Sequence, residues 1–316
     1  MAGTANVRSF CVAVSDLDRE GDGEHPDAAG QGRTHRIQNL IMRYVDDCSH
    51  GTLQGTLVSS GDGPSMRRIR ELSDKDVDHT WLWRLNRQHG PILPDAEFVE
   101  ALRLRLGTAG PADPVPCALC GAELLDSAGA HAMCCGQAES TRGHYAVSKQ
   151  VYTAAQQCDP AAELEAPDLI PGTALRPADV LTTAVGTGAL ALDIGIASPD
   201  AQTAGDDCTV AMYERKVAYY APHQASLERQ NISYQPLVWS AFGRPHPRTT
   251  TILRTLSKRI ARRRGCSDAA AVYKSLHGAV SLEIWRRAAR QAMSCWPVPA
   301  EWLVQITDEH AADENT

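Results

Sequence analysis

Two aspartates in the middle of the chain have the residue type and spacing for metal chemistry. Asp179 and Asp193 each stand in a short strand-like run, with thirteen residues between them and a Gly186-Thr187-Gly188 turn separating the runs. If residues 186–188 form a hairpin loop, Asp179 faces Gly195, and Asp193 is its diagonal neighbour on the same face, roughly 7–8 Å away. Two carboxylates at that distance can share one hydrated divalent cation.

The side chains around this pair differ in size between the two faces of the second run. Large residues occupy one face, and the aspartate face carries only small ones: Leu190, Leu192, Ile194 and Ile196 against Ala189, Ala191, Gly195 and Ala197. In a strand the first set points into a core and the second leaves room beside the acid. The pattern predicts the strand pair of a metal-dependent hydrolase. The alternative is that both aspartates are solvated or cap turns.

The elements that must position the pair indicate an α+β fold with α/β-like character. We expect a helix over 144–157, the two aspartate strands, a helix over 208–230 and a strand over 233–240. This order matches the restriction-endonuclease-like core, a small mixed sheet flanked by helices whose carboxylates bind the metal. That match is an analogy of fold.

The rest of the chain predicts further helices and a polar beginning. Helical spacing indicates helices over 34–57, 95–106, 250–264 and 269–293. The expected organisation has five parts: a disordered leader and helical remnant (1–75), a helical segment and linker (76–116), a zinc knuckle (117–141), the restriction-endonuclease-like domain (142–247), and C-terminal helices with an acidic tail (248–316).

Composition limits the possible classes of protein. The chain has 316 residues, ten cysteines and a net charge of −7, which argues against a uniformly basic nucleic-acid coat but leaves room for a local patch. No signal peptide or apolar run of membrane-spanning length is apparent. We therefore expect reduced cysteines, no membrane association, and a nuclear or cytoplasmic rather than secreted protein.

Four of the cysteine and histidine residues have the spacing of a zinc knuckle. Cys117 and Cys120 form C-x2-C, and His131 and Cys135 follow as H-x3-C. Such a set can close a tetrahedral shell around one structural zinc, which leaves no open position for a substrate. Cys134 is an alternative fourth ligand, and a cluster of free cysteines is the alternative to a metal site.

These features together resemble the C-terminal region of reverse transcriptases from non-LTR retrotransposons, which carry a cysteine-histidine knuckle and a restriction-like endonuclease. The resemblance covers about residues 81–295. It rests on Trp81-Leu82-Trp83-Arg84, Pro94 to Gly107, the C-x2-C pair, Gly129 to Cys135, Arg142-Gly143-His144, Glu165-Ala166-Pro167, Arg176-Pro177-Ala178-Asp179, Leu192-Asp193 and Lys216 to Tyr220.

The resemblance implies a metal-dependent DNA endonuclease that nicks target DNA with Mg²⁺ or Mn²⁺ held by Asp179 and Asp193. The family pattern has Lys or Glu where this chain has Gly195, and Lys216 from the next helix can replace it. Lys216 would hold the scissile phosphate or the attacking water, with Tyr220 on the same helical face. Glu165 is the assisting acid. An ordinary exposed helix lysine is the alternative for Lys216.

The partners implied are DNA and also element RNA. A basic segment could follow a phosphate backbone, or could be a solvated helix end: Arg254, Lys258, Arg259, Arg262, Arg263 and Arg264. Tyr44-Val45-Asp46-Asp47 matches the polymerase Tyr-x-Asp-Asp motif, but its helical surroundings favour a chance match, and we expect no polymerase domain. The second hypothesis is therefore a catalytically inactive, zinc-stabilised nucleic-acid-binding remnant of a reverse transcriptase.

Overall fold

A computed structural model describes residues 49–83, 92–109, 115–136 and 140–296. The predicted leader, the Tyr44–Asp47 motif and the acidic tail lie outside the described residues. The chain divides into two units, Met1–Met66 and Arg67–Thr316. In the first, residues 49–60 are helical. All sites discussed below belong to the second unit.

The second unit is a mixed helical and sheet structure, which confirms the α+β class. Its helices are α1 (Gly63–Leu72, which begins in the first unit), α2 (Asp95–Leu106), α3 (Ala130–Cys134), α4 (Ser140–Gln156), α5 (Cys208–Tyr220), α6 (Gln224–Glu228), α7 (Pro247–Arg263) and α8 (Ala269–Cys295). Its strands are β1 (Val115–Pro116), β2 (Leu124–Leu125), β3 (Glu163–Leu164), β4 (Val180–Thr182), β5 (Ala189–Ala197) and β6 (Ile232–Ser240).

The larger sheet has the strand order β3-β4-β5-β6. The neighbouring pairs β3–β4 and β4–β5 are antiparallel, whereas β6 runs parallel to β5 because α5 and α6 carry the chain back across the sheet. Leu192 and Ile194 of β5 are buried in one cluster with residues of α4, α7 and α8. Alternate residues of a strand point to opposite faces, so Asp193 and Gly195 face the other side, where α5 packs.

The predicted register of the aspartate hairpin is wrong by two residues. Val180 pairs with Leu192 and Thr182 with Leu190, so the connecting loop is longer than residues 186–188. Asp159 causes the early separation, because its carboxylate accepts hydrogen bonds from the Thr182 hydroxyl (2.9 Å) and from the backbone N–H of Thr183 (2.6 Å). Thr183 therefore directs its backbone N–H to a carboxylate instead of to β5. The even offset preserves which face each residue occupies.

The predicted helices over 95–106, 144–157, 250–264 and 269–293 correspond to α2, α4, α7 and α8, with ends that agree within four residues. The predicted helix over 95–106 is α2, which ends at Gly107 in the left-handed conformation (φ 71°). The predicted helix over 208–230 is instead three elements: α5, a 3-10 turn at Ala221–His223 and α6. Pro222 causes the break because it lacks a backbone N–H and its ring collides with the preceding helical turn.

Helix α8 packs into two hydrophobic clusters of the second unit. Its Val280 and Ile284 belong to the core beneath the sheet, while Trp285 and Ala289 belong to a second core that includes Leu104 of α2 and the cysteine knuckle. Helix α8 thus joins the two largest hydrophobic clusters among the described residues.

Candidate functional sites

Asp193 lies in the middle of β5 and is 8% exposed. The Nζ atom of Lys216, on α5, is 2.6 Å from its Oδ1, and the Tyr234 hydroxyl, on β6, donates to its Oδ2. Burial raises the pKa of the Asp193 carboxyl, while the charge and hydrogen bond of Lys216 and the hydrogen bond of Tyr234 oppose that rise. Three elements thus converge on one buried carboxylate.

Gly195 provides the space that Lys216 occupies. A Cβ atom at position 195 would lie 2.8 Å from Lys216 Cε and 2.7 Å from Met212 Sδ, closer than real Cβ atoms approach other atoms. The position at which the sequence departs from the endonuclease pattern is therefore filled by a lysine from the neighbouring helix. The structure thus places Lys216 beside Gly195, and the role predicted for Lys216 in place of a strand residue stays a prediction.

Asp179 immediately precedes β4 and lies beside Asp193. Continuing the β4–β5 pairing by one residue places the two aspartates opposite each other, and the charge of Asp179 contributes to the raised pKa of Asp193. The Oδ2 atom of Asp179 accepts a hydrogen bond from the backbone N–H of Ile194 (2.6 Å) and lies 3.2 Å from His144 Nε2. The pair therefore lies together, directly across the hairpin rather than on the predicted diagonal.

His144, near the start of α4, contacts Asp179, and the sequence did not predict this contact. Its Nε2 atom also lies 3.1 Å from the carbonyl oxygen of Ile194. The pKa of His144 is raised, chiefly by its hydrogen bond with Asp179. The sequence places His144 beside no partner, because the contact joins residues 35 positions apart, and only its place at the start of a predicted helix offered a signal.

Glu165 is next to Asp179 in the backbone but has a different side-chain partner. Its N–H donates to the Asp179 carbonyl oxygen (2.8 Å), and Glu165 itself has a left-handed conformation (φ 53°). Its carboxylate lies 3.9 Å from Arg176 Nη1. The structure therefore places Glu165 at the rim of the site, paired with a partly exposed arginine.

Tyr220 contributes an aromatic wall rather than a contact with either aspartate. Its hydroxyl donates to the Arg176 carbonyl oxygen (3.0 Å), and its ring centroid is 4.6 Å from that of Tyr234. Burial, followed by the negative charge of Asp193, raises the pKa of Tyr220 to about 12. Tyr234 was missed by sequence reasoning, because its approach to Asp193 depends on the parallel pairing of β5 with β6.

The cysteine and histidine ligand atoms form a compact cluster. The candidate ligand atoms of Cys117, Cys120, His131 and Cys135 all lie within 4.8 Å of one another. The Sγ atoms of Cys117 and Cys135 are 3.9 Å apart, and Cys120 Sγ is 3.5 Å from His131 Nε2. Tetrahedral zinc with ordinary bond lengths requires separations of about 3.8 Å and 3.5 Å for these two kinds of pair.

Backbone groups of the knuckle turn stabilise the two thiolates of the C-x2-C pair. Burial would raise the pKa of Cys117, but hydrogen bonds from the backbone at Cys120 and Leu119 give a net lowering. Backbone hydrogen bonds at Ala122 and Glu123 likewise lower the pKa of Cys120. A metal ligand must be deprotonated, so this environment suits a metal site.

Cys134 is excluded from the cluster by the direction of its side chain. It is exposed, and its Sγ donates to the Ala130 carbonyl oxygen (2.9 Å). Cys135 is buried and lies with the other three. The geometry thus selects Cys135 from the two adjacent candidates.

The basic segment lies on α7, on the sheet face opposite α5. Leu253 and Leu256 of α7 pack with Leu192 and Ile194, whereas Lys216 reaches Asp193 from the other side. Three members have partners: Arg254 with Asp76 (3.8 Å), Arg259 with the carbonyl oxygens of Thr183 and Gly186, and Arg264 with Gln157. Lys258, Arg262 and Arg263 are exposed and make no ion pair within the described residues.

No protein-family model, curated protein or solved structure matches this chain. Within the residues described, no helix has both the length and the apolar character needed to cross a membrane.

Proposed function

We propose that the second unit is a metal-dependent DNA endonuclease-like module, built on a restriction-endonuclease-like sheet and related to the C-terminal region of non-LTR retrotransposon reverse transcriptases. The observation that carries the proposal is the placement of Lys216 over Gly195, 2.6 Å from Asp193 and across from Asp179. Two carboxylates and a lysine on one sheet face supply what phosphodiester cleavage needs: metal ligands and a positive group for the developing charge.

The donor set fits a hard divalent cation. Carboxylate oxygens are the ligands that Mg²⁺ prefers, and Asp179 Oδ1 accepts no hydrogen bond from the described residues. The other three oxygens of Asp179 and Asp193 accept hydrogen bonds, and a metal would share them with those donors. A bound Mg²⁺ or Mn²⁺ would lower the pKa of a coordinated water and polarise the phosphate.

The side chains of the site have separate roles in this proposal. Lys216 neutralises Asp193 and can turn its ammonium toward a phosphate oxygen without leaving the site. Tyr234 holds the second oxygen of Asp193 and thereby fixes the orientation of that carboxylate. His144 does the same for Asp179, and Glu165 stays at the rim with Arg176.

We further propose that Cys117, Cys120, His131 and Cys135 hold one structural zinc. The supporting observation is the match of both measured ligand separations to tetrahedral zinc. The four side chains would occupy all four coordination positions of the zinc, which leaves none for a substrate. The metal would therefore stabilise the knuckle against α8 rather than take part in the reaction.

The second candidate function is a catalytically inactive, zinc-stabilised nucleic-acid-binding remnant. One observation favours it: both oxygens of Asp193 already accept hydrogen bonds, from Lys216 and Tyr234, so the charge of that carboxylate is balanced without a metal. In that case the Asp193 cluster would hold α5 and β6 together and would need no metal.

The decisive experiment is a nicking assay on supercoiled plasmid with Mg²⁺ or Mn²⁺. The wild-type chain is expected to nick, and Asp193→Ala to lose the activity while still folding cooperatively. Glu214→Gln, an exposed change on the same helix as Lys216, is the matched control and should keep full activity. DNA binding without cleavage in either metal would favour the remnant. Undiminished cleavage by Asp193→Ala would place the reaction elsewhere.

A further inference from the structure

A cavity of about 220 Å³ lies between the cysteine knuckle, the end of β5, α5 and α8. Arg215 of α5 and Arg287 of α8 both line it, and the lining includes no aspartate or glutamate. Hydroxyl groups of Ser198 and Thr203 and the amide of Gln291 complete its polar wall. Two guanidinium groups with neutral donors form an environment suited to an anion.

Arg287 has no hydrogen-bonded or ionic partner among the described residues, although its neighbours on α8 do. Arg286 and Arg290 both pair with Glu97, at 3.4 and 2.6 Å. Burial lowers the pKa of Arg287, with no compensating acid. A partly buried charge without a counter-ion is costly to the folded state, and a bound anion would offset that cost.

Two further features show that the cavity is built around Arg287. A Cβ atom at Gly143 would lie 2.3 Å from Arg287 Cγ. The absence of a side chain at Gly143 therefore leaves room for the aliphatic part of Arg287 between α4 and α8. Gln291, four residues on and 3% exposed, has a buried Oε1 atom that accepts no hydrogen bond. Its terminal amide can turn by about 180° to present the NH₂ group to an anionic oxygen.

The cavity adjoins the Asp193 site. Met212 lines it and also lies against Gly195, and Arg215 is next to Lys216 on α5. From Asp193 to Ala197, the strand advances about 13 Å toward the cavity. A nucleic-acid strand whose phosphate lay at Lys216 could therefore place a neighbouring phosphate in the cavity.

We infer that Arg287, with Gln291 and Arg215, binds a backbone phosphate of the DNA strand that enters the Asp193 site. The inference rests on the proposed function for its substrate, but it concerns binding and not cleavage. It assigns the knuckle a task beyond stability, because residues 133–136 form one wall of the phosphate pocket.

The test measures binding of the full chain to a DNA duplex without added Mg²⁺ over a range of salt concentrations. Arg287→Met should weaken binding and reduce the slope of log K against log salt by about one, the value for one lost phosphate contact. Arg287→Lys keeps the charge and should keep most of the slope. Lys274→Met, an exposed change on the same helix, is the control and should leave both quantities unchanged.

Thermal unfolding separates this role from a structural one. Removing a partly buried, unpaired charge should leave the free energy of unfolding unchanged or raise it, so Arg287→Met should bind DNA less well without being less stable. An unchanged salt slope in a folded Arg287→Met variant would overturn the inference. The inference would also fail if inorganic phosphate stabilised the wild-type chain against thermal unfolding and added DNA did not displace that phosphate. Failure of nicking with an intact Arg287 effect would overturn only the proposed enzyme activity.

Discussion

At the scale of single residues, the geometry of the two candidate sites depends on side chains that leave or fill space as much as on the polar groups. Gly195 is useful because it has no side chain, and Lys216 reaches Asp193 through the space it leaves. Cys135 and Cys134 are neighbours in sequence, but only one points at the ligand cluster. Each of these pairs offers a test in which one substitution serves as the control for another.

The adjacent cysteines test the zinc proposal. Cys135→Ser should lose the metal and lower the free energy of unfolding, because the fourth ligand closes the shell and metal binding contributes directly to folding. Cys134→Ser should retain about one zinc per chain, because its thiol faces the Ala130 carbonyl oxygen. Elemental analysis with thermal unfolding measures both. Equal metal content in the two variants would contradict the assigned ligand set.

Gly195→Ala tests whether the space above the strand matters. The new Cβ would overlap Lys216 Cε and Met212 Sδ, both near the ends of flexible side chains, so the fold should adjust at a cost of about 1–3 kcal/mol or less. Lys216 would move away from Asp193, and nicking should fall sharply. Gly55→Ala, where no atom lies within 4 Å, is the control. Full activity in Gly195→Ala would remove Lys216 from the proposed mechanism.

At the scale of elements, Arg244 fastens the start of α5 to α1. Its guanidinium forms two hydrogen bonds with Glu71, both 2.8 Å, and two with Asp207, at 2.9 and 3.0 Å. Asp207 also caps α5 by accepting from the N–H groups of Thr209 and Val210. Since Lys216 lies on α5, this network helps to hold the lysine in register with β5.

Arg244→Met should destabilise the fold by about 3–5 kcal/mol, because Glu71, which is 3% exposed, would remain buried without its partner. Arg248→Met, an exposed arginine in the first turn of α7, should change the free energy of unfolding by less than about 0.5 kcal/mol. Urea unfolding of both variants gives the comparison. Similar small effects would show that the network contributes little to stability.

Acid should weaken this network in a defined direction. Burial would raise the pKa of Asp207, but hydrogen bonds from Arg244 and Thr209 hold it well below the usual range. A carboxyl whose pKa is depressed in the folded state contributes stability above its unfolded pKa of about 3.9 and loses it as the pH falls toward the folded pKa. The free energy of unfolding should therefore drop between about pH 5 and 2.5 less steeply in Asp207→Asn than in the wild type. Identical pH profiles would contradict this assignment.

At the scale of the whole second unit, the sheet separates two positively charged regions. Lys216 lies on the Asp193 face and Arg215 and Arg287 line the cavity at the end of β5, whereas the exposed cations of α7 lie beyond the other face. The two regions are therefore expected to contribute separately to binding.

The exposed α7 cations should affect affinity without affecting catalysis. Replacing Lys258, Arg262 and Arg263 together by Gln should lower the salt slope by up to about 2.7, or 0.9 for each lost contact. The rate of nicking at saturating DNA should stay unchanged, because the groups proposed to react, Asp179, Asp193 and Lys216, lie on the opposite face. Binding curves and single-turnover nicking measure the two quantities. An unchanged salt slope would identify this segment as a solvated helix end.

Short-range features were accessible from the sequence. Helical spacing and Gly107 predicted α2 with its observed ends, and the C-x2-C and H-x3-C spacings predicted a cluster that the structure brings within ligand distance. The identities of Asp179, Asp193 and Lys216 as neighbouring residues followed from strand alternation and from the resemblance. Such features are encoded by residues close together in the chain, where periodicity and turn chemistry determine geometry.

Long-range contacts were decided only by the tertiary structure. The extent of the hairpin pairing depends on Asp159, whose carboxylate accepts from the Thr182 hydroxyl and from the backbone N–H of Thr183, so that Thr183 does not pair with β5. The contact of Tyr234 with Asp193 depends on the parallel pairing of β5 with β6, and that of His144 with Asp179 on how α4 packs. The choice of Cys135 over Cys134 depends on which thiol α3 turns inward. These outcomes result from packing between distant segments, where a shift of one residue changes which side chains meet, so local sequence patterns alone do not specify them.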